Sequence, residues 1–252
     1  TLGLGAAGII LPGVSQAKVL QDAIQNPNIK PISGSWFEFQ HPGGKEGVYW
    51  DKDLRNFTAT QWREKIREIR ETGMEYLVMM NVASHGFAFY DTDLAPKFKM
   101  GCEDPIETVL SAADEFGVKF FVSNDYWALD LDAVKMMTDK ELRAKCMEEI
   151  YARYGHHKSF YGWYFPNESW LDPYFGEYVI PYVNECAQIA KSLNANCVNI
   201  IAPYNIKAEK CDDTFIKQLE QLNVEIVAYQ DGVGVGVTTF SQSARAFENL
   251  AK

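Results

Sequence analysis

From Pro31 onward the chain alternates short apolar runs with longer stretches in which apolar residues return every three or four positions. Period two belongs to strands and period 3.6 to helices, so this rhythm predicts parallel strands joined by crossover helices. The apolar runs predict strands near residues 32–39, 76–82, 119–123, 160–165, 197–202 and 225–229. The amphipathic stretches predict helices over 60–71, 105–116, 138–154, 178–193 and 214–222, with another beginning at 241. Two of them carry clear start and stop signals. Thr58 stands as a cap with Gln61 three residues on, Trp62, Ile66 and Ile69 share a face, and Gly73 ends the run. Asp104 caps the next, Pro105 occupies its first turn and Gly117 stops it.

Six strand-helix units between Pro31 and Lys252 average about 37 residues, the scale of the repeating unit in an eightfold barrel. The predicted fold class is therefore α/β, a (β/α)8 TIM barrel truncated after six units, with residues 18–252 as a single domain. A doubly wound open sheet is the competing architecture. It calls for a Gly-rich phosphate turn after the first strand, which this sequence lacks, and aromatic strands ending in polar residues suit a barrel better.

With 47% hydrophobic and 23% charged residues, the chain carries enough apolar surface for one large core. Its net charge of -10 argues against nucleic acid or an anionic membrane as partner and favours a neutral or cationic small ligand. Cys102, Cys146, Cys186, Cys197 and Cys211 form no C-x-x-C or Cys/His spacing, so neither a zinc site nor a disulfide framework is predicted. No cofactor and no metal are expected, and the oligomeric state is left open.

Gly3-Leu4-Gly5-Ala6-Ala7-Gly8 satisfies the G-x-G-x-x-G pattern, but no strand precedes it and no acidic residue follows at the required distance. Leu2 to Val14 is instead an uncharged run rich in Gly and Ala, followed by Ser15-Gln16-Ala17 with small residues where a signal peptidase reads. It is too short to span a bilayer, which takes about 20 apolar residues. Residues 1–17 thus read as the remnant of an export signal, similar to the core of twin-arginine signals, and the mature protein as periplasmic or extracellular.

In a parallel barrel the residues just past each strand converge on one cleft. Here they are Trp36 and Glu38 on the first strand, Asn81 and His85 after the second, and Asn124, Asp125 and Trp127 after the third. Asn167, Glu168 and Trp170 follow the fourth, Tyr204 and Asn205 the fifth, and Gln230 and Asp231 the sixth. Carboxylates, amides and indole rings in one mouth suit a carbohydrate: ring faces stack on Trp and Tyr, and hydroxyls pair with amides and acids. Glu168 closes the aromatic run Phe160-Tyr161-Gly162-Trp163-Tyr164-Phe165, where partial desolvation would raise its pKa toward the range a general acid needs. Plainer readings stand beside these. Glu168 could cap a loop or pair with an Arg; His85 could be a loop hydrogen-bonder; Asp125 and Asp231 could cap helices. The Asp231-Gly232-Val233-Gly234-Val235-Gly236 loop lacks the Lys-Ser pair of a phosphate loop and reads as a flexible βα loop over a ligand.

The Trp-Tyr-Phe-Pro-Asn-Glu run ending at Glu168 resembles the fourth-strand Asn-Glu of the large clan of retaining glycosidases on eight-stranded barrels. The span from about Ile32 more closely resembles a family of secreted bacterial, glycoside-hydrolase-like barrels, domain-of-unknown-function family 4434. Gly34-Ser35-Trp36, Gly162-Trp163-Tyr164 with Asn167-Glu168, and Tyr229-Gln230-Asp231-Gly232-Val233-Gly234 carry that likeness. The resemblance implies Glu168 as acid/base, Asn167 as a sugar-binding neighbour, and a second carboxylate on a seventh strand that this sequence does not reach. Within the chain Asp231 is the substitute for it. The expected function is hydrolysis of a glycosidic bond in an oligosaccharide or small glycoside. A non-catalytic carbohydrate-binding barrel is the alternative. A metal-dependent hydrolase using His85, Asp125, Glu168 and Asp231 is weaker, because no H-x-H or H-x-x-x-H motif occurs.

Overall fold

Period-two alternation in buried strands makes two apolar faces, and a parallel sheet with crossover helices has to bury both. The computed structural model describes residues 32–39, 53–84, 86–124, 138–166, 171–208 and 210–251. Residues 33–252 form one compact unit. The export-signal expectation for residues 1–17 falls outside the described residues.

All six expected strands form: β1 (Gly34–Phe37), β2 (Tyr76–Met79), β5 (Lys119–Ser123), β6 (Phe160–Tyr164), β7 (Val198–Ile201) and β8 (Ile226–Val227). Between β2 and β5 lies a hairpin, β3 (Ala83–Ser84) with β4 (Phe87–Ala88), whose two-residue strands leave too little alternation to detect in sequence. The six long-range strands pair in parallel in the order β1-β2-β5-β6-β7-β8. Each expected helix appears within two residues of its predicted start: α1 (Ala59–Glu71), α2 (Pro105–Phe116), α3 (Lys140–Tyr154), α4 (Val179–Leu193), α5 (Asp213–Gln221) and α6 (Phe240–Leu250). Thr58 and Gln61 close the capping box of α1, and Asp104 receives the Glu107 N–H at the start of α2. Gly117 ends α2 in the left-handed region, at φ 74°.

Leu77, Met79, Phe120, Val122, Trp163 and Phe165 face the helices in the main core, whereas Val78, Phe121, Tyr164 and Ile200 form a smaller cluster on the other face. Simple alternation from Phe160 would send Tyr164 outward with it. It does not, because the β5–β6 register slips between Phe120 and Phe121, which pair with Phe160 and Gly162. The extra residue flips the parity of the rest of β6, turning Trp163 to the helices and Tyr164 inward. Gly162 is required at this bulge: a Cβ there would sit 1.7 Å from the Val198 carbonyl oxygen.

The sheet curls into a half-barrel. β2 and β5 separate β1 from β6, so a flat sheet would hold those strands about 14 Å apart. Yet the Trp36 and Tyr164 rings meet with centroids 5.1 Å apart. β1 and β8 are the edges, unpaired with each other among the described residues. Between them opens a cavity of about 390 Å³ lined from both sides by Trp36, Tyr76, Phe121, Tyr161, Ile226 and Ala228. No helix of the described residues is long and apolar enough to cross a membrane.

Candidate functional site

The carboxyl ends of the strands are where the sequence places candidate chemistry, and one part of that rim is tightly built. After β6, Phe165 and Leu171 are each bonded to β7 or the loop that follows it. The Phe165 N–H donates to Ile200 O at 3.1 Å. The Leu171 N–H donates to Tyr204 O at 3.1 Å, and the Asn205 side-chain amide donates to Leu171 O at 3.0 Å. Leu171 and Asn205 are both buried. Asn205 holds φ 68°, a left-handed conformation that Asn tolerates better than most side chains. Residues 167–170, with Asn167, Glu168 and Trp170, lie between these two anchors in sequence and outside the described residues, as do His85, Asp125 and Trp127.

Asn81 follows β2 and is 1% exposed, and its Oδ1 finds no hydrogen-bond partner among the described residues. A buried amide oxygen without a donor is costly, and Asn124 Oδ1 is in the same state. Trp36 is 41% exposed, rests on Tyr164 and lines the inner cavity. Glu38 is half-buried one residue past β1. Gln230 ties β8 to β7, donating its side-chain amide to Ala202 O at 3.0 Å and its backbone N–H to Pro203 O at 2.9 Å.

Two expected site residues take other work. Asn124 points its amide into the layer between sheet and helices, donating to Cys186 Sγ at 3.3 Å and Met147 Sδ at 3.4 Å. Its position just past β5 suggested a lining residue, but strand-end parity sends it outward. Asp231 is exposed and accepts the Val233 N–H at 2.9 Å, closing its own turn. The glycine-rich loop that follows is itself folded back, with the Val237 and Thr238 N–H groups both on Gly232 O at 3.1 and 3.2 Å. Gly232 and Gly236 supply the left-handed φ values of 67° and 72° that this closure needs.

Asn205 is the site residue that strand-end reasoning undervalued. Its signal is an Asn four residues beyond the end of β7, but its partner lies 34 residues away in sequence.

Among the described residues one group could hold a metal: the ligand atoms of Glu107, His156 and His157 lie within 4.8 Å of one another. It stands before β6 rather than at the strand ends. Both His157 nitrogens are already engaged, Nδ1 with Asp114 at 2.8 Å and Nε2 with Glu107 at 3.1 Å. Burial opposes charge on His157, but hydrogen bonds to Asp114 and Glu107 outweigh it and hold the imidazole pKa above its ordinary value. Burial likewise opposes the charge of Glu107 and Asp114, and the bonds to His157 bring both below the usual carboxylate range.

The half-barrel is similar to several crystal structures. A Bacteroides thetaiotaomicron protein provisionally named an α-L-fucosidase matches with TM-score 0.58 and 19% identity, over 80% of this chain and 64% of that one. A GH2 β-galacturonidase from Eisenbergiella tayi matches with TM-score 0.52 and 17% identity, over 87% of this chain and 32% of that one. The chain thus spans less than two thirds of the length of either. No curated protein matches it significantly. A family profile does match, over residues 32–252, and by that measure the chain belongs to the family described as Domain of unknown function (DUF4434).

Proposed function

We propose that this chain is the barrel domain of a glycoside hydrolase, with Glu168 as general acid/base and Asn167 orienting it and the sugar. The observation that carries the reading is the curled parallel half-barrel itself: Glu168 follows β6 in sequence, where such a sheet presents its carboxyl end. A general acid has to lie within hydrogen-bond reach of the oxygen it protonates, and strand ends are where barrels place such groups. The exposed Trp36 ring supplies a stacking face of the kind a sugar needs. The neighbours named as glycosidases support the fold; at 19% and 17% identity they leave the substrate open.

In this reading the Glu168 carboxyl protonates the glycosidic oxygen as the C–O bond breaks. A second carboxylate either attacks the anomeric carbon from about 5–5.5 Å or activates a water from about 6.5–9.5 Å. Asp231 is the candidate within the chain, although its bond to Val233 favours an orienting role. That same bond favours a second reading, a carbohydrate-binding barrel without turnover. Reducing-end release from oligosaccharides, measured beside binding of the same compounds, separates the two: binding without release supports the second. We also propose that the protein is exported, with residues 1–17 removed; a mature N-terminus near Lys18 by mass spectrometry would support this, and one at Thr1 would contradict it.

A further inference from the structure

The loops after β1 and β2 meet in a second hollow, of about 640 Å³, lined by Arg55, Lys97, Lys99, Phe87, Phe98 and Met100. Arg55 lies in the 3-10 turn Leu54–Asn56 that follows β1, and the other five in the segment between β2 and α2. Topology therefore puts the hollow on the carboxyl-terminal side of the sheet. Its walls are built rather than incidental. The Gly101 N–H donates to Arg55 O at 2.7 Å, and a Cβ on Gly101 would sit 2.3 Å from Asn56 O, so only glycine lets the two loops close. The Phe98 N–H donates to Ala88 O at 2.6 Å, and the Phe98 ring packs edge-on against Phe87 and Phe89 at 6.4 and 5.6 Å.

In a chain of net charge -10, three cations and no carboxylate line this hollow among the described residues. Lys97 is paired with Asp91 at 3.1 Å. Arg55 and Lys99 have no ion-pair or side-chain hydrogen-bond partner among the described residues. Phe87 is 41% exposed beside them. Two unpaired cations next to an open aromatic face suit a ligand that is both flat-faced and anionic. The chain-wide negative charge does not forbid this, because beyond about 8 Å exposed charges are screened at physiological ionic strength and the lining sets the local field.

We propose that this hollow is a binding subsite for an acidic sugar, a uronic-acid unit whose carboxylate meets the Arg55 guanidinium and the Lys99 ammonium while its ring face rests on Phe87. The planar guanidinium fork matches a carboxylate in a two-point contact. This rests on the glycoside-hydrolase reading and adds to it the class of glycan: one that carries carboxylates.

Calorimetry with tetragalacturonic acid and with its fully methyl-esterified counterpart tests it, since the two share their rings and differ in charge. Wild-type protein should bind the acid about tenfold more tightly than the ester, with an advantage that shrinks as salt rises. Arg55→Gln combined with Lys99→Gln should bring the two affinities together. Arg55→Lys, which keeps the charge and loses the fork, should keep part of the preference. Equal binding of acid and ester by the wild type, or an acid preference that survives the double substitution, overturns the subsite and leaves the glycosidase reading standing. No binding of either compound likewise overturns the subsite and leaves the glycosidase reading to its own test.

Discussion

Asn205 donates its side-chain amide to the carbonyl of Leu171 at 3.0 Å, joining the loop after β7 to the residue three positions past Glu168. Leu171 is fully buried, so its carbonyl has no water to turn to if the amide is removed. Losing that bond costs about 1–3 kcal/mol, and Ala in the left-handed region costs about 1–2 kcal/mol more. Asn205→Ala should therefore destabilise the fold by about 2–5 kcal/mol in urea denaturation, and Asn205→Gly, which adopts the same φ freely, by about 1–2 kcal/mol less. Equal effects of the two would show that the backbone conformation does not matter here. If the clamp serves the acid, turnover should fall in Asn205→Gly by more than its lost stability explains.

Gly162 should tolerate no side chain. With a Cβ placed 1.7 Å from Val198 O, the clash is with backbone and cannot be relieved by a rotamer change. Gly162→Ala should cost about 3 kcal/mol, read as a shift in the urea midpoint with unchanged slope. A variant as stable as wild type would mean that β6 and β7 are not paired as described.

The His157 cluster sets a pH window of stability. Its raised pKa means that the His157 contribution is fully present below the unfolded value, about 6.5, and is lost as pH rises through the folded value. Glu107 and Asp114 are lowered, so their contribution is present above their unfolded values, about 4, and is lost as pH falls through the folded ones. Thermal midpoints should be highest between these limits and decline on both sides. His157→Gln should flatten the alkaline decline; an unchanged profile would assign it to other groups.

Trp36→Ala should weaken sugar binding about three- to tenfold, the size of one lost stacking face, with little effect on the thermal midpoint because the ring is 41% exposed. Titration calorimetry with neutral oligosaccharides reads this. Unchanged affinity would remove Trp36 from the ligand site.

The elements that were legible in the sequence are those fixed by local chemistry. Asp104, Pro105 and Gly117 bracket α2 within a few residues, and Thr58 with Gln61 starts α1, because capping acts over a single turn. The six strands were legible from their apolar runs, and the barrel-like class from their alternation with helices. What stayed hidden depends on partners distant in the chain. The slip at Gly162 that turns Tyr164 inward is decided by β5 and β7, not by the alternation within β6. Asn124 looked like a lining residue until Met147 and Cys186 were placed beside it. The Asn205–Leu171 clamp and the hollow shared by Arg55 and Lys99 each join loops far apart in sequence, and no spacing rule announces them.

The account stands or falls on Glu168 as a proton donor, and the leaving group is the most direct way to ask. Rates for a natural oligosaccharide and for a 2,4-dinitrophenyl glycoside of the same sugar should be compared between wild type and Glu168→Gln. A sugar leaving group needs protonation and a dinitrophenolate does not, so the substitution should slow the oligosaccharide by about 10²–10⁴-fold and the activated glycoside far less. Near wild-type turnover of the oligosaccharide by Glu168→Gln would contradict the assignment.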